Sequence, residues 1–263
     1  MVQTFVLNKG EIMKILVIIG SLRKKNTYDT VKKIEEYHKN YSDFKYEYLF
    51  LKDINFKLCK GCFVCISDGE EKCPLKDDRD LIINKIENSD GIILASPNYV
   101  MNVCWLMKNY IDRFAYTMHR PKYFNQYFMI LITSGGYMGT KQASNALSLM
   151  SSGGKIISKL SIYNSTGMNK NKKEKQEKKI KREAKRFYKL LSNKKKHRPS
   201  FGFLVWFSVF NAYSIENKKY FPADYEFFKN KNYFINIKLT LLQKLIVSFF
   251  TNFFTILIKK GFI

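Results

Sequence analysis

Four cysteines lie close together in the pattern C-x2-C-x2-C-x7-C-P, which ends at Pro74. The thiols belong to Cys59, Cys62, Cys65 and Cys73. Zinc sites usually bring together two separated pairs of ligands. Three thiols at successive x2 spacings and a terminal Cys-Pro are instead typical of loops that bind an iron–sulfur cluster. The pattern therefore favours electron transfer through a 4Fe-4S cluster, with reduced thiols that bind nothing and a zinc site as the two alternatives.

A second candidate site is the polar loop that follows an apolar run at 14–19. The loop reads Gly20-Ser21-Leu22-Arg23-Lys24-Lys25-Asn26-Thr27 and precedes a helical pattern. Backbone N–H groups at a helix N-terminus, together with hydroxyl and amide donors, suit a dianionic phosphate. The loop lacks the G-x-G-x-x-G and G-x-x-x-x-G-K-[ST] patterns, so a terminal monophosphate such as that of FMN fits best. The alternative is an ordinary polar loop in which Ser21 or Asn26 caps the helix.

The elements that must position these residues alternate along the chain. Short runs of apolar or alternating residues predict strands at 14–19, 44–51, 91–95, 127–133 and 155–163. Helical patterns follow at 27–38, 78–87, 103–116 and 141–150, and a further one lies within 169–198. This alternation predicts right-handed crossovers and a doubly wound parallel α/β sheet. Ligands of such sheets lie beyond the carboxyl ends of the strands, and three of those ends carry Ser, Thr, Asn, Gly or Tyr.

The net charge of +24 is concentrated in one stretch of the chain. Residues 169–198 contain 15 Lys or Arg and 3 Glu, which is about half of the excess. Because Ile180, Ala184, Phe187 and Leu191 recur there at helical spacing, we predict a helix with one buried stripe and a solvated outer face. No basic motif with interleaved aromatic residues occurs, so we expect no nucleic-acid partner. Five cysteines, four of them in one loop, and the lack of a secretory signal predict a reducing, cytoplasmic location.

The start of the chain suggests a leader that is not native. Lys9-Gly10-Glu11 can be encoded by a ribosome-binding sequence shortly before the codon for Met13, and Met13 opens the first predicted strand. We therefore expect translation to begin at Met13 and residues 1–12 to be a non-native leader.

Three sequence motifs occur in this one chain, and their combination is more specific than any of them alone. They are Gly20-Ser21-x-Arg23…Asn26-Thr27, the cysteines with Lys76-Asp77-Asp78, and Ser96-Pro97-x-Tyr99…Lys108-x-x-Ile111-Asp112-Arg113. Their combination resembles the flavodoxin-fold NADPH-dependent FMN reductase family, in particular its iron–sulfur flavoprotein branch. The resemblance implies a flavodoxin-like five-stranded sheet of order 2-1-3-4-5 in an FMN-binding domain over 13–196, followed by an α-helical C-terminal extension over 197–263.

The resemblance also implies FMN as cofactor, NAD(P)H as electron donor and a homo-oligomer. The FMN phosphate would be held by Ser21, Arg23, Asn26 and Thr27. The isoalloxazine ring would be lined from the third strand by Pro97, Asn98, Tyr99 and Val100. From the fourth strand it would be approached by Thr133, Ser134, Gly135, Gly136 and Tyr137. The glycines would let backbone amides come close to the N1/O2 edge of the ring.

The tail at 239–258 carries one charge, Lys244, and is long enough to cross a bilayer. Its polar residues form one stripe of a helical wheel: Thr240, Lys244, Ser248, Thr251, Asn252 and Thr255, continued by Lys259. We therefore predict an amphipathic helix. It packs in a dimer or against the domain, makes peripheral contact with a membrane surface, or spans the membrane.

Three functions follow from these observations. The leading hypothesis is an FMN-dependent oxidoreductase that passes electrons from NAD(P)H to a small acceptor. The second is an iron–sulfur flavoprotein that carries electrons between redox proteins, with its cluster relaying them between a ferredoxin-like partner and the bound FMN. The third is a non-redox zinc- or anion-binding module. We assign no catalytic acid or base, because the hydride chemistry of a flavin needs none.

Overall fold

A computed structural model describes residues 12–41, 44–165, 167–193, 195 and 197–262 of the chain. The predicted leader at 1–12 lies outside the described residues, apart from Ile12.

Five parallel strands form the main sheet. They are β1 (Met13–Ile19), β2 (Phe44–Phe50), β3 (Gly91–Tyr99), β5 (Tyr127–Ser134) and β6 (Lys155–Tyr163). A two-residue strand, β4 (Asn102–Val103), folds back antiparallel on β3. The order is β2-β1-β3-β5-β6, which confirms the predicted order 2-1-3-4-5 once β4 is left out of the count. The strand order reverses between β1 and β3, so their carboxyl ends border the crevice where sheets of this kind bind ligands.

Nine helices are found in the part of the chain that the structure describes. The first six are α1 (Asn26–Lys39), α2 (Val64–Ser67), α3 (Arg79–Glu87), α4 (Trp105–Arg113), α5 (Thr140–Ser148) and α6 (Lys170–Ser192). Three more follow: α7 (Phe201–Glu216), α8 (Pro222–Phe228) and α9 (Leu241–Lys259). The lysine-rich helix lies within the charged stretch as predicted and ends at Ser192, with Asn193 as its C-cap. The predicted helix at 103–116 is divided into α4 and a 3-10 turn over Ala115–Met118.

One hydrophobic cluster lies between the sheet and helices α1 and α6. The strand residues that alternate to the other face of the sheet, such as Leu16, Leu94 and Ile130, are also fully buried. Strands β3 and β5 are buried over most of their length, as continuous apolar runs in a parallel sheet should be. The predicted stripe on α6 is confirmed, because Ile180, Ala184, Phe187 and Leu191 are all buried. The lysines between them stand mostly on the exposed face, so the high positive charge of this helix is compatible with its packing.

The chain forms two compact units. The sheet unit comprises the described residues of Met1–Leu58, Asp77–Arg113 and Tyr123–Lys196. The helical unit comprises Cys59–Lys76, Phe114–Lys122 and the described residues of His197–Ile263. Two segments of the predicted 13–196 domain therefore group with the C-terminal residues, and the predicted boundaries of the functional domains stay a prediction.

A buried histidine links α1 to α6 in the sheet unit. His38 Nε2 donates to the Ala184 carbonyl oxygen at 2.9 Å, so its Nδ1 accepts from the Tyr46 hydroxyl at 2.6 Å. Burial lowers the pKa of His38 below its ordinary 6.5, and the hydrogen bond to Ala184 only partly opposes this effect. The folded chain therefore holds His38 neutral.

We expect this histidine to make the sheet unit less stable in mild acid. As pH falls below about 6.5, the unfolded chain takes up a proton that the folded chain resists, so stability is lost by up to about 1.4 kcal/mol per pH unit until the folded pKa is reached. Denaturant unfolding of wild type and His38→Gln at several pH values measures this. The variant should have a lower free energy of unfolding near neutrality, and that free energy should change less with pH than in wild type. An equal pH dependence in the two proteins would contradict a neutral, buried His38.

Candidate functional site

The loop between β1 and α1 leaves the start of α1 open. Ser21 is buried, and its hydroxyl both donates to the Arg23 carbonyl and accepts from the Arg23 N–H, at 2.9 and 3.2 Å. The N-cap residue of α1 is Lys25, and no side chain caps the helix. The alternative that Ser21 or Asn26 caps α1 is therefore wrong. First-turn N–H groups without a side-chain cap, preceded in the loop by the positively charged Arg23, are what an anion site needs.

Side chains tie this loop to the ends of three other strands. Thr27 lies 2.7 Å from Thr133 between hydroxyl oxygens, Arg23 Nη2 donates to the Tyr99 hydroxyl at 3.4 Å, and Asn164 Nδ2 donates to Asn26 Oδ1 at 2.9 Å. Tyr99 ends β3, Thr133 lies near the end of β5, and Asn164 directly follows β6. The structure thus brings all four predicted phosphate-loop residues to the carboxyl edge of the sheet, beside residues predicted to line the ring.

The turn that follows β3 is strained. Val100 and Met101 have φ of +47° and +63° and join β3 to β4 in a two-residue hairpin, a conformation that favours Asn and Gly. Val100 is almost fully exposed, so packing within the chain does not hold its side chain. Gly139 permits the arrangement, since a Cβ there would lie 2.2 Å from the Met101 Cα. A β-branched residue held at positive φ is a conformation found most often at ligand sites.

We expect Val100→Asn to raise the stability of the cofactor-free chain by about 1 kcal/mol, because asparagine tolerates positive φ far better than valine. Denaturant unfolding of the apo protein measures the change. Met138→Asn is the matched control: Met138 is also exposed and apolar but is not at positive φ, so this variant should change stability by less than about 0.5 kcal/mol. Equal effects of the two variants would contradict strain at Val100.

The carboxyl edge of the sheet also offers an unused hydrogen-bond acceptor, on Asn98, and open space beside the two glycines that follow β5. Asn98 Nδ2 donates to Ser134 Oγ at 3.1 Å and to the Met138 carbonyl at 2.9 Å. Its Oδ1 is buried and accepts no hydrogen bond from the described residues. A Cβ placed on Gly135 or Gly136 would meet no atom within 4 Å. A flat ring bearing an N–H group would suit this unused acceptor and this open space.

Exposed apolar side chains surround the edge. Tyr99, Val100 and Tyr137, which were predicted from the sequence, are exposed. Four further residues share this property: Leu22, Met101, Trp105 and Met138. These four residues were not among the site residues predicted from the sequence, although each lies within a few residues of the end of a strand, which was the available signal. Grouped exposed apolar residues mark a surface that binds a ligand or partner.

The observations fit the FMN that the sequence resemblance implies. The start of α1 without a side-chain cap and Arg23 suit a phosphate, while the Asn98 acceptor and the space beside Gly135 and Gly136 suit a planar heterocycle. Cys104 is not part of this fit. It is buried, as expected for a small core residue, and its thiol donates to the Gly20 carbonyl at 2.9 Å.

The cysteine loop belongs to the helical unit. Cys62 is exposed, and Cys59, Cys65 and Cys73 are half-buried. Burial raises the pKa of the Cys65 thiol, and the nearby thiols of Cys73, Cys59 and Cys62 raise it further, while Arg120 lowers it. The four sulfurs thus form one electrostatic group with the chemistry of a metal ligand set. Among the described residues, however, no three of them are arranged around a common metal position, so we derive no electron-transfer step through a cluster.

A buried arginine holds one side of the cysteine loop. The Arg120 guanidinium donates to the Cys65 carbonyl at 2.6 Å and the Ile66 carbonyl at 3.1 Å. It also binds Glu70 at 3.1 Å and pairs with Asp224, whose second oxygen lies 2.7 Å from His119 Nδ1. We call this set the Arg120 cluster: Glu70, His119, Arg120 and Asp224. It connects the cysteine loop to helix α8, which carries Asp224, within the helical unit.

A second buried pair explains two other sequence motifs in structural terms. Arg113 Nη2 donates to Asp77 Oδ1 at 2.9 Å, and both side chains are almost fully buried. Burial by itself would raise the pKa of Asp77, but the Arg113 guanidinium and the Lys57 N–H together lower it. Arg113 also donates to the Lys57 carbonyl at 2.8 Å. Asp77 and Arg113, one residue from each motif, therefore hold the backbone at Lys57 in place within the sheet unit.

Comparisons with known proteins agree on the family. A family model described as NADPH-dependent FMN reductase matches residues 13–165. An iron–sulfur flavoprotein from Clostridioides difficile is 34% identical over 190 residues, which are 70% of this chain and 81% of that protein. One from Archaeoglobus fulgidus is 36% identical over 124 residues, or 47% of this chain. The chain covers only 60% of the length of that protein and 56% of a second from the same organism.

The solved structures show the same fold. An NAD(P)H:quinone oxidoreductase from Methanothermobacter marburgensis superposes with a TM-score of 0.54 over 68% of this chain and 98% of that chain. Its sequence is only 13% identical, so the similarity establishes the flavodoxin-like arrangement of the sheet and not a shared substrate.

Proposed function

Because the chain belongs to the NADPH-dependent FMN reductase family, and within it to the iron–sulfur flavoprotein branch, we propose that it is an FMN-dependent oxidoreductase. It would take electrons from NAD(P)H and pass them to a small acceptor. The observation that carries the proposal is the carboxyl edge of the sheet. There the open start of α1, the unused Asn98 oxygen and the space beside the Gly135-Gly136 turn lie on elements that converge.

The phosphate end of the cofactor would bind at the start of α1. Arg23 supplies a full positive charge, and the first-turn N–H groups supply donors and the positive end of the helix dipole. Thr27 is held in place by Thr133, so its backbone N–H is fixed before any ligand arrives. Ser21 and Asn26 complete the predicted set. Their part is to orient a dianion and not to transfer protons.

The ring end would lie against the turns after β3 and β5. Pro97, Asn98, Tyr99 and Val100 would contact it from β3, with the Asn98 oxygen accepting from a ring N–H. Thr133, Ser134, Gly135, Gly136 and Tyr137 would contact it from β5. Side chains such as Tyr99 and Tyr137 would shield the ring from water. When bound, FMN supplies the hydride and electron chemistry itself, and the chain contributes position and environment.

The second candidate is an iron–sulfur flavoprotein that carries electrons between redox proteins. The observation in its favour is a single loop that holds Cys59, Cys62, Cys65 and Cys73 and that Arg120 anchors at the Cys65 carbonyl. The four cysteines supply the type of donor that an iron–sulfur cluster needs, although the described residues do not place three of them around one metal position, and relatives of the chain bear the iron–sulfur name. A 4Fe-4S cluster on these cysteines is therefore a proposal. The cytoplasmic location and the homo-oligomer likewise remain predictions.

Anaerobic rapid mixing of the FMN-loaded protein with NADPH or NADH separates the candidates. Flavin bleaching within seconds and oxidation of excess NAD(P)H by a quinone would support the reductase. A protein that contains about four iron and four sulfide per chain, and whose flavin is bleached by reduced ferredoxin but not by NAD(P)H, would support the carrier. A protein that takes up neither flavin nor iron would leave only the zinc- or anion-binding module.

A further inference from the structure

Helix α9 packs on α7 within the helical unit through one of its sides only. A capping box of Thr240 and Gln243 begins the helix. Ser208 on α7 donates to the Val247 carbonyl at 3.2 Å, and the Phe201 and Phe250 rings meet edge to face at 5.8 Å. Although α9 is 19 residues long, no residue of it is buried.

The opposite side of α9 presents apolar side chains to solvent. They are Leu241, Leu242, Leu245, Phe249, Phe253 and Ile256, with exposed fractions between 45% and 76%. Their spacing of three and four residues places them on one continuous stripe, which we call the apolar stripe. An exposed apolar surface of this size on a helix normally contacts a partner or a membrane.

A polar band runs beside the apolar stripe. Its residues Lys244, Ser248, Asn252 and Lys259 are exposed, and Lys260 follows the helix. The charge nearby is strongly positive: residues 197–263 contain nine Lys or Arg and three acidic residues. Of those three, Asp224 is buried with Arg120, and Glu216 lies 3.5 Å from Lys259. The surface therefore offers little negative charge to a basic partner.

We propose that α9 is an in-plane membrane helix that docks the helical unit on an anionic lipid surface. The apolar stripe would enter the acyl boundary, and the lysines would meet the lipid phosphates. A second copy of the chain fits less well, since pairing two apolar stripes would also bring two positively charged surfaces together.

Length and composition alone would also allow α9 to cross a bilayer, and among the described helices it is the one that meets this test. The polar band argues against crossing. Ser248 and Asn252 are exposed near the middle of the helix, where a span would place them in hydrocarbon. In the interface plane the same residues stay in water.

Sedimentation with vesicles tests the proposal on the full chain. Wild type should pellet with vesicles of phosphatidylcholine and phosphatidylglycerol, and less with phosphatidylcholine alone or in high salt. The double variant Phe249→Asp/Phe253→Asp should lower the partition coefficient at least about tenfold. Ser248→Asp/Asn252→Asp is the matched control: it adds the same charge at neighbouring exposed positions outside the stripe, so it should lose only the charge-dependent part of the binding and clearly less than the stripe variant loses.

Each outcome decides the proposal, and none depends on the proposed oxidoreductase activity. Equal losses in both double variants would mean that charge alone drives binding, which would overturn insertion of the stripe. The stripe would instead bind a second copy of the chain if wild type did not bind anionic vesicles but sedimented as a dimer, and Phe249→Asp/Phe253→Asp sedimented as a monomer. Wild type that is extracted from vesicles only by detergent would indicate a span. Circular dichroism checks that both variants are folded.

Discussion

Replacing Arg120 by methionine is expected to destabilise the helical unit by about 3–5 kcal/mol, because it leaves a buried carboxylate without its guanidinium partner. Asp224 is fully buried, and Arg120 is nearly so. The change also removes the donors to the Cys65 and Ile66 carbonyls, so the cysteine loop loses its anchor as well as the ion pair.

Unfolding in a Trp105→Phe background measures this effect, since fluorescence then reports Trp206, which lies in the helical unit. Lys122→Met is the matched control. Lys122 lies 3.9 Å from the same Glu70 but is partly exposed, so its loss should cost less than about 1 kcal/mol. The rate of thiol alkylation should rise in the Arg120 variant alone. If Arg120→Met destabilised the unit no more than the control, the Arg120 cluster would not anchor the loop.

Asn26→Asp is expected to move stability and FMN affinity in opposite directions. A carboxylate in the first turn of α1 interacts well with the helix dipole, so the apo protein should gain about 0.3–1 kcal/mol. The same charge would lie among the N–H groups proposed to hold the phosphate. Like charges at about 4 Å near a protein surface repel by roughly 4 kcal/mol, so FMN affinity should fall by about 100-fold or more.

Asn40→Asp is the control for this prediction, because Asn40 is the C-cap of the same helix. A carboxylate there opposes the helix dipole, so the apo protein should lose about 0.3–1 kcal/mol while FMN affinity stays unchanged. Denaturant unfolding and calorimetric FMN titration give the two quantities. Unchanged FMN affinity in Asn26→Asp would place the phosphate elsewhere.

The sheet could be predicted because its signals are local. Strands such as β3 and β5 are continuous apolar runs. Ligands of parallel sheets bind beyond the carboxyl ends of the strands, so the polar residues that follow these strands could be predicted to form the site. The stripe of Ile180, Ala184, Phe187 and Leu191 likewise shows at helical spacing. Strand β4 was not predicted, because a strand of two residues shows no periodic pattern. The turn before it also places Val100 at positive φ, a conformation that valine avoids.

The buried ion pairs could not be predicted for a different reason. Arg113 and Asp77, or Arg120 and Asp224, are separated along the chain by many residues, and no local pattern shows which charges meet after folding. The grouping of the cysteine loop with the C-terminal residues has the same origin. The exposed state of the apolar stripe also depends on tertiary packing, since the sequence showed amphipathicity but not which side of α9 would meet α7.

Whether the carboxyl edge of the sheet binds FMN can be decided by the flavin content of the anaerobically purified protein. We expect one FMN per chain, with flavin absorption that NAD(P)H bleaches, and loss of that flavin in Asn26→Asp but not in Asn40→Asp. A colourless wild-type protein that remains colourless after incubation with excess FMN would contradict it.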